Sequence, residues 1–183
     1  MRRCANLAIV AGTGRNVGKT AFACGIISTF CTQTELYGLK VSSIQPDEGI
    51  YHGEHSGCDA RGVLVEETRS DLDKDTSRMV RAGATRVFYL RGDDEQILTG
   101  FDAFLSRIPP HAAVVCESGS LWRFVEPGLL IMVTMRGRPV KPRARVLAER
   151  ASMIIESRGE GGFPELSRIR LSNSSGWTVE EKR

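Results

Sequence analysis

Short apolar runs alternate with segments of helical periodicity along most of the 183 residues. Runs that are apolar at nearly every position are typical of strands buried on both faces of a parallel sheet. The pattern predicts strands at residues 7–10, 41–44, 86–90, 112–116, 129–134, 153–155 and 169–171. Between them, residues 46–73 are polar and weakly periodic, which predicts a long loop near a functional site.

Three segments between these strands have apolar residues at helical spacing. The third is predicted from about Pro142 to Ala151, with proline suited to its first turn. The first two apolar stripes are Ala23, Ile26, Ile27 and Phe30, and then Ile97, Phe101, Phe104 and Ile108 between Asp93 and Pro109. Strand–helix alternation of this kind predicts an α/β fold with a mostly parallel sheet. The length suits a single domain over residues 1–183.

The composition is ordinary for a soluble globular protein, at 41% hydrophobic and 26% charged residues. A net charge of +3 gives no support to a nucleic-acid partner, and no apolar run approaches the length of a membrane span. The basic start followed by apolar residues 5–11 is not a secretory signal, because the run is short and contains Asn6. The scattered cysteines are Cys4, Cys24, Cys31, Cys58 and Cys116, of which Cys24, Cys31 and Cys116 lie among apolar residues. Buried free thiols and a cytoplasmic location follow from this pattern.

A glycine-rich segment joins the first strand to the first helix. It reads Gly12-Thr13-Gly14-Arg15-Asn16-Val17-Gly18-Lys19-Thr20, with Ala21 next. Glycines allow successive backbone N–H groups to point at phosphate oxygens, and the helix N-terminus adds its positive dipole end. In such a loop the lysine neutralises β- and γ-phosphates, and the hydroxyl of Thr20 ligates Mg²⁺. The segment therefore predicts binding of Mg²⁺ with ATP or GTP.

The spacing in this segment is longer by one residue than the standard pattern and resembles the phosphate loop of dethiobiotin synthetase and its relatives. That P-loop class also holds the MinD-type ATPases. Two later stretches resemble the same family: Gly38-Leu39-Lys40-Val41 with Ile44-Gln45-Pro46, and Val114-Val115-Cys116-Glu117-Ser118-Gly119-Ser120-Leu121. The resemblance implies a three-layer α/β/α P-loop NTPase fold, and many relatives are homodimers. One departure is Gln45, since dethiobiotin synthetase has a lysine before the proline that assists chemistry on the substrate.

A second family is also similar. Lys74-Asp75-Thr76-Ser77-Arg78, followed by Arg81-Ala82-Gly83-Ala84 and a strand, resembles the molybdopterin-guanine dinucleotide biosynthesis protein B family. That family also has a polar, histidine-bearing segment after its second strand. This resemblance implies an accessory role in cofactor biosynthesis.

Two carboxylates are candidates for the metal and for catalysis beside Lys19. Glu117 follows an apolar strand, at the edge where ligands bind in open α/β sheets. Asp47 follows the second strand and could ligate Mg²⁺ or orient a nucleophile, or simply occupy a turn. Lys19, Asp47 and Glu117 are therefore the expected catalytic residues, with Thr20, Asp47 and Glu117 as the expected metal ligands.

A polar segment holds a different set of candidate ligands. His52, His55 and Cys58, with Asp59, have a spacing that could contact zinc, although a polar substrate loop explains them as well.

Arginines and an asparagine offer weaker signals. Arg78 and Arg81 lie one turn apart and could meet an anionic substrate or cover the wet face of a helix. Residues 136–143 are basic but lack the base-reading Asn-Lys-x-Asp of GTPases, so the base stays open. Asn173 is a positional candidate for the base, and residues 172–183 could fold over the nucleotide or fray.

Two functions remain open from the sequence. One is a nucleoside triphosphatase that acts as a switch on a partner enzyme in cofactor biosynthesis. The other is an ATP-dependent ligase or kinase of a small acidic substrate. Slow hydrolysis accelerated by a partner protein would indicate the first, and turnover with a small acceptor the second.

Overall fold

The computed structural model of the chain describes residues 1–44, 63–137, 143–158 and 162–180. Asp47, Gln45 and the segment with His52, His55 and Cys58 lie outside the described residues. The regular elements within them are β1 (Arg2–Gly12), α1 (Lys19–Phe30), β2 (Leu36–Ser43), β3 (Val63–Glu67), α2 (Asp75–Arg81), β4 (Arg86–Gly92), α3 (Asp94–Leu105), β5 (Ala113–Ser118), β6 (Val125–Met135), α4 (Arg143–Arg150), β7 (Met153–Ser157), β8 (Ile169–Ser172) and β9 (Gly176–Val179), with 3-10 helices at Leu121–Arg123 and Pro164–Arg168.

A mostly parallel sheet organises these elements. Its order is β3-β4-β2-β5-β1-β6-β7, and every neighbouring pair is parallel except β3 with β4. This confirms the predicted α/β class and the mostly parallel sheet. Because β2, β5 and β1 are neighbouring parallel strands, their carboxyl ends meet at one edge of the sheet, where ligands bind in such sheets.

Apolar clusters cover both faces of the sheet. Along β1, Ala8 and Val10 join one cluster with the apolar stripe of α1. Leu7 and Ile9 point the other way and join the second cluster with the stripe of α3. This double burial explains why the strand is an unbroken apolar run rather than an alternating one.

The helices begin where the sequence predicts. The Asp93 side chain caps α3 by accepting a hydrogen bond from the Gln96 backbone N–H. The Gln96 side-chain oxygen accepts one from the Asp93 backbone N–H, which completes a capping box. The first helix begins at Lys19, immediately after the glycine segment. In the described part of the chain, no helix is both long enough and apolar enough to cross a bilayer.

The predicted loop at residues 46–73 is partly wrong. Residues 63–67 form β3, an antiparallel edge strand on β4. Glu66 on this strand holds Arg86 on β4 through two hydrogen bonds of 2.8 and 2.6 Å. The strand was missed because it is short and carries charge at its end, and because a partner strand distant in sequence supplies its hydrogen bonds.

The predictions for Asn173 and for the tail are also wrong over the described residues 172–180. Strand 169–171 is confirmed as β8, but it pairs with β9 in a separate antiparallel hairpin. Trp177 on β9 is fully buried against Phe30, and its indole N–H donates to the Asn6 carbonyl at 2.9 Å. These contacts lie at the amino edge of the sheet, opposite the glycine segment, and Asn173 lines a cavity there with His111. The tail was misread because one buried tryptophan outweighs its polar neighbours.

The thiols are only partly as predicted. Cys116 is buried in β5, whereas Cys24 and Cys31 are partly exposed on α1 and at its end. All of the described cysteines are free.

Candidate functional site

The glycine segment forms a tight turn between β1 and α1. Asn16 and Gly18 both have positive φ, at 56° and 94°, and Gly18 is the N-cap of α1 without a side-chain cap. Arg15 and Asn16 are exposed, while Thr13 and Val17 are buried and anchor the turn. The turn therefore presents the amino end of α1 at the carboxyl edge of the sheet.

Glycine is required at both ends of this turn by close contacts. A Cβ on Gly12 would lie 2.8 Å from Cγ of Lys19, and a Cβ on Gly18 would lie 2.7 Å from Oγ of Ser157. Ser157 ends β7, so the turn is wedged between its own lysine and a strand of the sheet. The positive φ of Gly18 adds a conformational reason, because residues with a Cβ rarely adopt it.

The Lys19 side chain folds back over the turn. Its Nζ donates a hydrogen bond of 2.6 Å to the Gly14 carbonyl. The ammonium therefore lies above the turn, on the side to which the amino end of α1 points.

Next to Lys19, the Thr20 hydroxyl meets two carboxylates. Its Oγ1 is 2.7 Å from Oε2 of Glu117 and 2.9 Å from Oδ1 of Asp75. Glu117 is 2% exposed near the end of β5, and Asp75 is the first residue of α2. A hydroxyl has one proton, so it can donate to only one of the two carboxylates at a time.

Lys40 completes this cluster from β2. Its Nζ is 2.5 Å from Oε1 of Glu117 and 2.7 Å from Oδ2 of Asp75. In the register of β2 on β5, Lys40 is the direct neighbour of Glu117, which places both side chains on the same face of the sheet. Thr20, Lys40, Asp75 and Glu117 thus form a closed ring of polar contacts, called the carboxylate ring below.

Lys40 and Asp75 keep their charges at neutral pH. Burial disfavours the ammonium of Lys40, but the charge of Glu117 and the hydrogen bonds to both carboxylates outweigh it and raise the Lys40 pKa. Burial likewise favours the neutral acid at Asp75, but the hydrogen bond and charge of Lys40 lower the Asp75 pKa. Lys40 is therefore cationic and Asp75 anionic.

Cys24 lies one turn beyond Thr20 on the same helix. Burial raises the pKa of its thiol to about 11, only partly offset by Arg78. The thiol is protonated at neutral pH, so it is a packing group and a poor nucleophile.

The two arginines of α2 have different surroundings. Arg81 donates to the Ser70 carbonyl and, at 2.7 Å, to the Leu72 carbonyl, and so holds the segment before α2. Arg78 is partly buried and close enough to lower the pKa of both Cys24 and Asp75. Arg81 therefore has a structural contact, and Arg78 faces the site.

The structure places Glu117 against the hydroxyl of Thr20, which follows Lys19 on α1, while the roles predicted for the three residues stay predictions. It adds Lys40 and Asp75, to which the sequence assigned no role. A lysine inside a buried strand is a signal that could have identified Lys40, because such a charge needs a partner. Asp75 gave only the weaker signal of an acid at a helix start.

Three hypotheses about metal and base remain predictions. Asp47, and the zinc ligands His52, His55 and Cys58, fall outside the described residues. Among the residues that are described, no group of three His, Cys, Asp or Glu side chains is placed to hold a metal. Residues 138–142 of the basic run are likewise not described.

Comparison with known proteins gives no family for the chain. No protein-family model matches it, and no curated protein matches it. The functional assignment therefore depends on the geometry of the site.

Proposed function

We propose that this protein binds a nucleoside triphosphate with Mg²⁺ through a phosphate loop at residues 12–20 and hydrolyses it as a P-loop NTPase of three-layer α/β/α fold. One observation carries the proposal. The hydroxyl that follows the Gly18-Lys19 pair contacts a buried carboxylate near the carboxyl end of the strand adjacent to β1. A phosphate loop needs this pairing of a helix-borne hydroxyl with a carboxylate to share one metal ion.

The donor set fits Mg²⁺. This ion takes oxygen ligands at about 2.0–2.1 Å in an octahedron, so neighbouring ligand oxygens are about 3 Å apart. Oγ1 of Thr20 lies 2.7 and 2.9 Å from its two carboxylate oxygens, close to that spacing. Thr20, Glu117 and Asp75 would hold the ion, which supplies charge neutralisation at the phosphates when bound. Asp75 is a candidate ligand in addition to Asp47, which lies outside the described residues.

The turn and Lys19 would bind the phosphates of the nucleotide. Backbone N–H groups at the start of α1 are directed toward the space above the turn, where they can bind phosphate oxygens. Lys19 already lies over the turn, and exchanging its bond to the Gly14 carbonyl for a phosphate oxygen needs only a side-chain rotation. These groups orient the triphosphate and balance its charge, which is the main catalytic contribution a protein makes to phosphoryl transfer.

The cellular role is proposed from the resemblance. An accessory NTPase of cofactor biosynthesis, of the molybdopterin type and in the cytoplasm, is the first candidate. The second is a ligase or kinase of a small acidic metabolite, and one observation favours it. Arg78 faces the site, where its guanidinium could bind the carboxylate of such a substrate.

Nucleotide binding tests the proposal directly. Isothermal titration of the purified chain with ATP and with GTP, each with Mg²⁺ or with EDTA, should show binding that Mg²⁺ strengthens. Lys19→Ala should weaken it at least tenfold. Arg107→Ala is the control, because Arg107 is an exposed basic residue near the start of β4, at the amino edge of the sheet opposite the site. No binding of either nucleotide by the unmodified chain, or equal binding by the Lys19 variant, would refute the proposal.

Turnover then separates the two roles. Phosphate release is measured alone, with small dicarboxylic and amino-acid acceptors, and with a cell extract. Acceleration by a small acceptor supports the ligase or kinase, and acceleration by a protein fraction that co-purifies with the chain supports the accessory NTPase.

A further inference from the structure

In the carboxylate ring, the two oxygens of each acid have different partners. One oxygen of Asp75 and one of Glu117 face Thr20, and the other oxygen of each accepts from Lys40. The same two carboxylates therefore serve the hydroxyl on one side and an ammonium on the other. Two carboxylates thus share a single ammonium in this ring.

Lys40 is held firmly in this position. The strand residues on either side of it are buried, and its side chain is only 18% exposed. Its neighbour in the register is Glu117, whose side chain is 2% exposed. An ammonium with little access to water loses hydration, and its two carboxylate bonds compensate for that loss.

We propose that Lys40 is a built-in counter-cation of the metal site, which offsets part of the negative charge of Asp75 and Glu117 in the nucleotide-free protein and thereby weakens the binding of Mg²⁺ beside Thr20. The inference rests on the proposed function for the identity of the metal site. Two cations that share the same two carboxylates repel each other strongly at the short distances involved. The site therefore binds the metal weakly until the phosphates of a nucleotide add negative charge, and metal and nucleotide bind together.

The experiment measures divalent metal binding without nucleotide. Mn²⁺ substitutes for Mg²⁺ at oxygen sites and is counted by electron paramagnetic resonance of the free ion. Lys40→Gln removes the charge and keeps a polar side chain, Lys40→Arg keeps the charge, and Arg107→Gln removes an exposed charge at the opposite edge of the sheet. The Lys40→Gln variant should bind Mn²⁺ at least fivefold more tightly than the unmodified chain. Lys40→Arg and Arg107→Gln should show no such gain.

A gain smaller than fivefold in Lys40→Gln, or an equal gain in Lys40→Arg, would overturn the proposal. Circular dichroism shows whether the Gln variant is folded. If it is unfolded in metal-free buffer, millimolar Mn²⁺ should restore the folded spectrum, because the dication replaces the lost charge. Failure of Mn²⁺ to do so would also overturn the proposal.

This outcome is independent of the nucleotide experiment. If the unmodified chain binds no nucleotide but Lys40→Gln gains Mn²⁺ affinity, the proposed function fails and the counter-cation stands. If nucleotide binds with Mg²⁺ but Lys40→Gln gains nothing, the proposed function stands and the counter-cation fails.

Discussion

Replacing Gly18 by alanine tests the geometry of the turn most directly. The residue has φ of 94°, and a Cβ there would lie 2.7 Å from Oγ of buried Ser157. A left-handed conformation costs a residue with a Cβ about 1–2 kcal/mol. Displacing a packed neighbour adds about 1–2 kcal/mol. We therefore expect Gly18→Ala to lower the free energy of unfolding by about 2–4 kcal/mol.

Gly14 provides a matched control within the same turn. Its φ is not positive, and a Cβ there would meet only a methyl group of Val17, at 3.9 Å. Alanine at such a position is neutral or stabilises by up to about 1 kcal/mol, because it restricts the unfolded chain. Urea denaturation followed by circular dichroism gives both values. Stabilities of the two variants within about 1 kcal/mol of each other would refute the described backbone of the turn.

Nucleotide binding by the Gly18 variant is the second measurement. The residue is the N-cap of α1, so a shift there moves Lys19 and Thr20, which follow it directly. Effective phosphate binding requires both within a fraction of an ångström of their positions. Folded Gly18→Ala should therefore bind Mg²⁺–nucleotide at least tenfold more weakly, and unchanged affinity would contradict the role of the turn.

Three further predictions concern the rest of the molecule. Glu117→Gln removes the carboxylate of a proposed metal ligand. Titration calorimetry should show nucleotide affinity reduced at least tenfold with Mg²⁺ but less than threefold with EDTA, and equal losses would argue against a metal role. The hydrogen bond from Arg86 lowers the Glu66 pKa, so its stabilisation is complete above pH about 4.5 and is lost as the pH falls through the folded-state pKa. Unfolding free energies of the unmodified chain and Glu66→Gln should thus differ by about 0.5–1 kcal/mol at pH 6 and converge near pH 3, whereas a difference independent of pH would refute the assignment. Trp177→Phe loses one buried hydrogen bond and should lower the free energy of unfolding by about 1–2 kcal/mol in the same urea assay, and Trp177→Ala should lower it by about 3–5 kcal/mol. A loss below about 1 kcal/mol for both variants would mean that β9 does not pack as described.

The strands in the interior of the sheet were predictable because burial on both faces requires apolar residues at nearly every position. The runs at 7–10 and 112–116 are apolar throughout, and they became β1 and β5. The edge strand β3 was not predictable in the same way, since one of its sides faces solvent. Its identity depends on pairing with β4, which is a property of the folded chain.

The residues of the site were likewise predictable only where local sequence determines their positions. Local sequence order was sufficient for Lys19 and Thr20, because the turn and the helix that hold them are adjacent in the chain. Lys40 and Glu117 are 77 residues apart and meet through the register of β2 on β5. A shift of the register by one residue would place them on opposite faces, so only the paired sheet reveals their contact.

The hairpin on β1 has a consequence for how the protein is made. Strand β1 is synthesised well before its neighbours β5 and β6, which begin only at residues 113 and 125. Trp177 and Gly176, which press against Asn6 and Ala5, are synthesised later still. A nascent chain stalled before residue 176 lacks the last support of the strand from which the turn extends. Competence to capture a ligand should therefore arise only after residues 176–179 have been synthesised, and until then β1 is a segment that chaperones would meet.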